Sequence, residues 1–203
     1  MIDFGTAKRL GQRLCVVVLV FLAQTAVAVE GKKARGEFGL MIGSLGGMTV
    51  EVTSKHDGSR GYDIETKAGF SAGLFFEQKL LGPVWAGMSI DYYEVRGDQL
   101  FFRDESPRTL GLALRFSGRL RSAGGSWVFR PGVASGVVLL GQVEYLKTSQ
   151  HVMIKPFVEA VYRVSPKVGL VGELGIFNTV WGANDDYNIL AGPTTLLRFG
   201  ILL

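Results

Sequence analysis

Nine residues set the terms for this chain. From Thr109 to Ser117, Leu110, Leu112, Leu114 and Phe116 alternate strictly with Thr109, Gly111, Ala113, Arg115 and Ser117. An α-helix would scatter the four large apolar side chains around its circumference, whereas a β-strand places all four on one face. The period recurs along the chain. Ala68, Phe70, Ala72, Leu74 and Phe76 oppose Lys67, Gly69, Ser71, Gly73 and Glu77. Val84, Ala86, Met88 and Ile90 oppose Gly87, Ser89 and Asp91. Val152, Ile154, Val158, Ala160 and Tyr162 oppose Lys155, Glu159 and Arg163. Fainter alternation at 37–49, 127–140, 168–177 and 189–203 brings the predicted strands to eight. Each is close to the roughly 9–11 residues of a tilted membrane strand.

The connections alternate as well. Leu80-Leu81-Gly82-Pro83, a Gly-containing turn near Arg121 to Ser126, and Ser165-Pro166-Lys167 are short. The intervening connections, near 51–66, 95–107, 141–150 and 178–188, are more polar and mostly longer. Short turns on one side and long loops on the other are the asymmetry of an outer-membrane barrel, with both termini on the periplasmic side. The expected fold is therefore all-β, an eight-stranded antiparallel up-and-down transmembrane β-barrel.

Period two alone does not say which face is wet. A soluble lipocalin-like barrel would turn the apolar face inward. The other face decides between them, because it is rich in Gly, Ala, Ser and Thr, which a narrow lumen can hold and a solvated strand has little use for. Isolated ionisable residues punctuate it: Glu37, Lys67, Glu77, Asp91, Arg115, Arg130, Lys155, Glu159, Glu173 and Arg198. Five acids and five bases of this kind predict a paired charge network inside the barrel. The apolar face carries no such charge, as hydrocarbon requires. Phe38, Phe76, Phe116, Phe129, Tyr162 and Phe199 fall on it near the periplasmic strand ends, with Tyr92, Trp181 and Tyr187 at the opposite rim, as interfacial girdles would.

Residues 1–28 read as a cleaved signal peptide. Lys8, Arg9 and Arg13 precede an apolar run from Leu14 to Ala23, and Ala26-Val27-Ala28 supplies a small-x-small cleavage site. The run is too short for a membrane-spanning helix. The remaining domain would be 29–203, exported to the outer membrane. The single Cys, Cys15, lies in the signal and excludes a disulfide scaffold. Removing Lys8, Arg9, Arg13 and Asp3 from totals of 22 bases and 18 acids leaves 19 against 17. No basic stripe survives, so nucleic acid is not an expected partner. A 47% apolar content with so little net charge also excludes intrinsic disorder.

Over residues 36–203 the pattern resembles the small eight-stranded OmpA-type outer-membrane β-barrel family of Gram-negative envelopes. Lys155-Pro156-Phe157-Val158-Glu159-Ala160 is similar to a strand segment common in such barrels. The ending Leu197-Arg198-Phe199-Gly200-Ile201-Leu202-Leu203 is similar to the family's C-terminal assembly signal, although it closes on Leu203 where the family usually has an aromatic residue. The resemblance implies outer-membrane lipid, lipopolysaccharide and the barrel-insertion machinery as partners, with a further surface-loop partner left open.

Eight strands enclose a space that side chains fill, which argues against an open porin. The expected role is non-enzymatic, in envelope integrity or surface interaction, with no cofactor and no metal. Two alternatives remain at this point: a lipid A-modifying enzyme and a narrow transporter for small hydrophobic molecules. The first draws on Ser149 and His151, two residues apart and so on one face of a strand, with Glu144 nearby. Some barrels of this size modify lipid A with Ser and His, but the His-x-Ser order of the deacylase type is reversed here. His56 sits in a polar segment, and Asn184-Asp185-Asp186 reads as a turn rather than a cation loop.

Overall fold

The computed structural model describes residues 36–56, 58, 60–97, 108–140, 149–183 and 186–203. The predicted signal peptide, Glu144, Asn184 and Asp185, and most of the predicted loops at 95–107 and 141–150 lie outside the described residues. Among the described residues there is no helix. Eight long strands form the wall: Gly36–Leu45 (β1), Gly69–Leu81 (β4), Val84–Glu94 (β5), Arg108–Ser117 (β7), Trp127–Leu140 (β9), Ser149–Arg163 (β10), Gly169–Ala183 (β11) and Thr194–Leu202 (β13). Five shorter pieces accompany them: Thr49–Ser54 (β2), Arg60–Lys67 (β3), Arg96–Gly97 (β6), Leu120–Arg121 (β8) and Tyr187–Ala191 (β12).

Each long strand pairs antiparallel with its neighbours in the order β1-β4-β5-β7-β9-β10-β11-β13, and β13 returns to β1. The seam runs from Gly39 opposite Leu202 to Leu45 opposite Leu196. The sheet therefore has no free edge along this wall, as closure demands of a strand structure in lipid. The short turns lie where the sequence places them. Gly82, with φ +53°, makes the β4–β5 turn, in a conformation that an L side chain rarely adopts.

Alternation sorts the side chains as a membrane barrel requires. On β7, Leu110 is 51% exposed and Arg115 is 0% exposed. Leu40, Ile42, Leu74, Ile90, Val158, Leu174 and Phe199 are likewise exposed on the outside of the wall. Phe38 lies opposite Phe76, and Trp127 packs on Tyr162 with ring centroids 5.1 Å apart, both pairs at the short-turn end. At the other end Phe70 meets Tyr92 at 6.4 Å.

The far end is more ordered than the sequence suggests. The predicted loops at 51–66 and 178–188 are largely strand: β2 pairs with β3 and with β12, and β11 runs on to Ala183. These pieces extend β1, β4 and β13 beyond breaks at Gly46–Met48, Ala68 and Gly192–Pro193. Every break shifts the alternation by one. Inward positions are odd in β1 (Met41, Leu45) but even beyond it (Met48, Val52). They are even in β3 (Ile64, Thr66) and odd in β4 (Ser71, Phe75).

Candidate functional site

The shift at Ala68 corrects one expectation. Lys67 does not join the lumen. Ala68 falls outside the ladder and adds a residue between two inward positions, Thr66 and Gly69, so Lys67 turns to the exposed face. The other nine predicted charges face inward, eight of them fully buried and Glu37 half-buried at the short-turn end.

They form a connected network across the lower lumen. Arg115, from β7, donates to three acids on three different strands: Nε to Glu77 Oε1 at 3.2 Å, Nη2 to Glu159 Oε1 at 2.6 Å and Nη1 to Glu173 Oε2 at 3.4 Å. Arg130 bonds Glu77 and reaches Glu159 Oε2 at 3.1 Å. Arg198 donates from Nε and Nη2 to Glu173 Oε1 at 2.9 and 2.6 Å and also bonds Asp91. Lys155 Nζ stands 3.3 Å from Asp91 Oδ2 and 3.8 Å from Glu173 Oε1. Ser89 and Ser117 donate hydroxyls to Asp91 and Glu77 at 2.8 and 3.1 Å. Gly73 makes room for this arrangement, since a Cβ there would lie 2.5 Å from both Arg198 Nη1 and Asp91 Oδ1.

Two cations complete the network that the sequence reading leaves out of it. Arg119, in the turn after β7, forms an ion pair with Glu37, Nη1 to Oε2 at 2.6 Å, and lies over the Trp85 ring at 3.2 Å. Arg163 bonds Glu37 as well. Aromatic residues inside the barrel were also not anticipated. The Arg115 guanidinium lies between Phe75 and Phe157, 4.3 and 4.2 Å from their centroids. Strict parity would have found both rings, since Phe75 falls between Gly73 and Glu77, and Phe157 between Lys155 and Glu159.

Above the network the lumen turns apolar. Met153, Phe177, Leu196, Ala113 and Tyr93 fill the section and lead to a cavity of about 60 Å³. Its walls are almost wholly hydrocarbon, from Leu45, Met48, Ile64, Val138, Phe177 and Ile189 among others. Thr66 and Thr179 also line it, but both hydroxyls are engaged across strand breaks, Thr66 with Met48 and Thr179 with Ala191. His151 lines it too, and Ser149 Oγ lies 2.7 Å from His151 Nε2. Ser149 itself is fully buried, away from the lipid-facing surface. The imidazole packs against Gly182, where any Cβ would collide with it.

No family model matches the sequence, and a search of curated proteins finds no relative. Among solved structures the chain is similar to Neisserial surface protein A, NspA, with a TM-score of 0.54 at 10% identity over 85% of this chain and 99% of that one. The outer membrane protease OmpT from Escherichia coli aligns with a TM-score of 0.48 at 10% identity, covering 86% and 99% of the two chains. Ail, the attachment invasion locus protein of Yersinia pestis, aligns at 0.42 and 13% identity, covering 83% and 99%. Closure over eight strands, the apolar exterior and the likeness to NspA agree: the chain has the fold of the small eight-stranded outer-membrane β-barrels.

Proposed function

We propose that this protein is a closed, non-enzymatic barrel of the outer membrane, exported by a signal cleaved after Ala28, which serves envelope integrity or presents its loops to a partner. The carrying observation is the charge network. Arg115 ties β7 to acids on β4, β10 and β11 at one level, so side chains fill the section that a solute would have to cross. An ion path would require these buried pairs to part, and breaking one by losing a partner costs about 3–5 kcal/mol. Outer-membrane lipid and lipopolysaccharide would surround the apolar wall, and the barrel-insertion machinery would receive the C-terminal strand.

Planar-bilayer recording tests this reading. The purified protein is expected to give no steady conductance, and persistent open-channel steps would overturn it. Fractionation with a heat-modifiability gel tests the location, since a mature protein that is soluble without detergent does not carry this outside.

One observation favours a second reading, a lipid A-modifying enzyme. The Ser149–His151 contact has the geometry of a nucleophile with its base. The full burial of Ser149 weighs against it, because a lipid substrate approaches from the opposite face. Lipid A mass spectra from cells with and without the gene decide between the two. An acyl-chain difference that disappears on His151→Ala would establish the enzyme.

A further inference from the structure

We infer that the short-turn rim of the barrel is a docking surface for anionic phospholipid headgroups, such as phosphatidylglycerol, in the leaflet that faces the periplasm. The inference rests on the membrane location proposed above and adds to it the charge of the lipid and the leaflet that holds it.

The three short turns share one composition. The β4–β5 turn carries Lys79, Leu80 and Leu81, the β7–β9 connection Leu120 and Arg121, and the β10–β11 turn Val164 and Lys167. No acid stands on any of them, from Gln78 to Trp85, Gly118 to Trp127 or Arg163 to Gly169. Lys79, Arg121 and Lys167 are exposed, and Glu37, the part-buried acid at this end, is already held by Arg119 and Arg163.

The apolar members are as open as the cations. Leu80 is 62% exposed, Leu81 78%, Leu120 61% and Val164 60%. Leu120 lies in register with Phe129 of the aromatic girdle, so the turn continues the lipid-facing surface below the wall. Water suits only the charged half of such a turn. The boundary between acyl chains and headgroups suits both halves, with hydrocarbon for the leucines and phosphate for the cations.

The spacing of the turns selects a leaflet over a protein. In barrel order they join β4 to β5, β7 to β9 and β10 to β11, so the cations stand on three sides of the rim. A protein docked on one flank would meet one turn, whereas a leaflet surrounds all three. The opposite end differs in sign, since the exposed face of β2 and β3 carries Glu51, Asp63 and Glu65 beside Lys67. Attraction to an anionic surface fades within a Debye length, about 8 Å at physiological salt, so the turns act on the leaflet beside them.

The test uses the mature chain folded into vesicles, with tryptophan quenching by brominated phosphatidylglycerol and, separately, brominated phosphatidylcholine. Trp127 is 45% exposed at the short-turn end and reports the lipid there, whereas Trp181 reports the other rim. In Trp181→Phe, Trp127 is expected to favour phosphatidylglycerol about fivefold or more, the factor for one cation beside an anionic surface. Lys79→Gln, Arg121→Gln and Lys167→Gln combined should bring the two lipids to parity, and about 1 M salt should do the same. Lys79→Arg, Arg121→Lys and Lys167→Arg combined should keep the preference. In Trp127→Phe, Trp181 should show none. Heat modifiability reports whether each variant folds, and the charge-keeping set still decides if the Gln set does not. Equal quenching of Trp127 by both lipids, a preference that survives the Gln set or high salt, one lost in the charge-keeping set, or an equal preference at Trp181 would overturn the inference. Quenching by neither lipid would instead sink the membrane location, and this inference with it.

Discussion

Arg115 shows how much a single inward position decides. It is fully buried, bonds three carboxylates and is stacked between two rings, so its removal leaves three acids short of a cation in a closed space. Arg115→Met is expected to cost about 3–5 kcal/mol in urea unfolding from lipid vesicles. Lys67→Ala, at a residue on the outer face, should stay within about 0.5 kcal/mol. Equal losses for the two variants would contradict the network. At this scale most of the lumen was legible. Alternation alone placed Arg115, Arg130 and Glu159 inward, because a charge on the hydrocarbon side is so unfavourable. Arg119 was not legible, since a turn has no period to read and its partner Glu37 lies far away in the sequence.

At the scale of elements, legibility ended where the strands break. Period-two reasoning assumes that parity persists, and it fails at Gly46–Met48, Ala68 and Gly192–Pro193, where one side of the pattern slips onto the other. Segments 51–66 and 178–188 therefore read as loops, although hydrogen bonds carry the sheet through them: Gly192 donates to the Thr49 carbonyl and Thr66 to that of Met48. Thr179 acts as a splint of the same kind, accepting from the Ala191 amide at 2.7 Å. Thr179→Val removes that acceptor. Hydrogen exchange at Ala191 should then accelerate by about five- to tenfold, equivalent to about 1 kcal/mol of local opening. Amides of β7 and β9 in the lower barrel should keep their protection. Uniform acceleration throughout would show that the two tiers open as one.

For the whole molecule, the governing fact is an exterior of Leu, Ile, Val and Phe around a salted interior. Leu112 lies near the middle of β7 on the outer face, so Leu112→Arg is expected to cost about 2–4 kcal/mol in a bilayer. The same change at Leu120, in the turn region, should cost only about 0–1 kcal/mol. Depth-independent costs, measured by reversible unfolding from vesicles, would place the hydrocarbon elsewhere.

The seam between β1 and β13 joins the beginning of the barrel to its end, and β13 carries Arg198. Until the last nine-residue strand docks, Asp91 and Glu173 lack the guanidinium that bridges them, and the sheet keeps two raw borders. A chain cut short before Thr194 would thus forfeit its final staple and the cation shared by Asp91 and Glu173 in the same stroke. Closure of the wall and pairing of these two carboxylates with Arg198 are therefore one event.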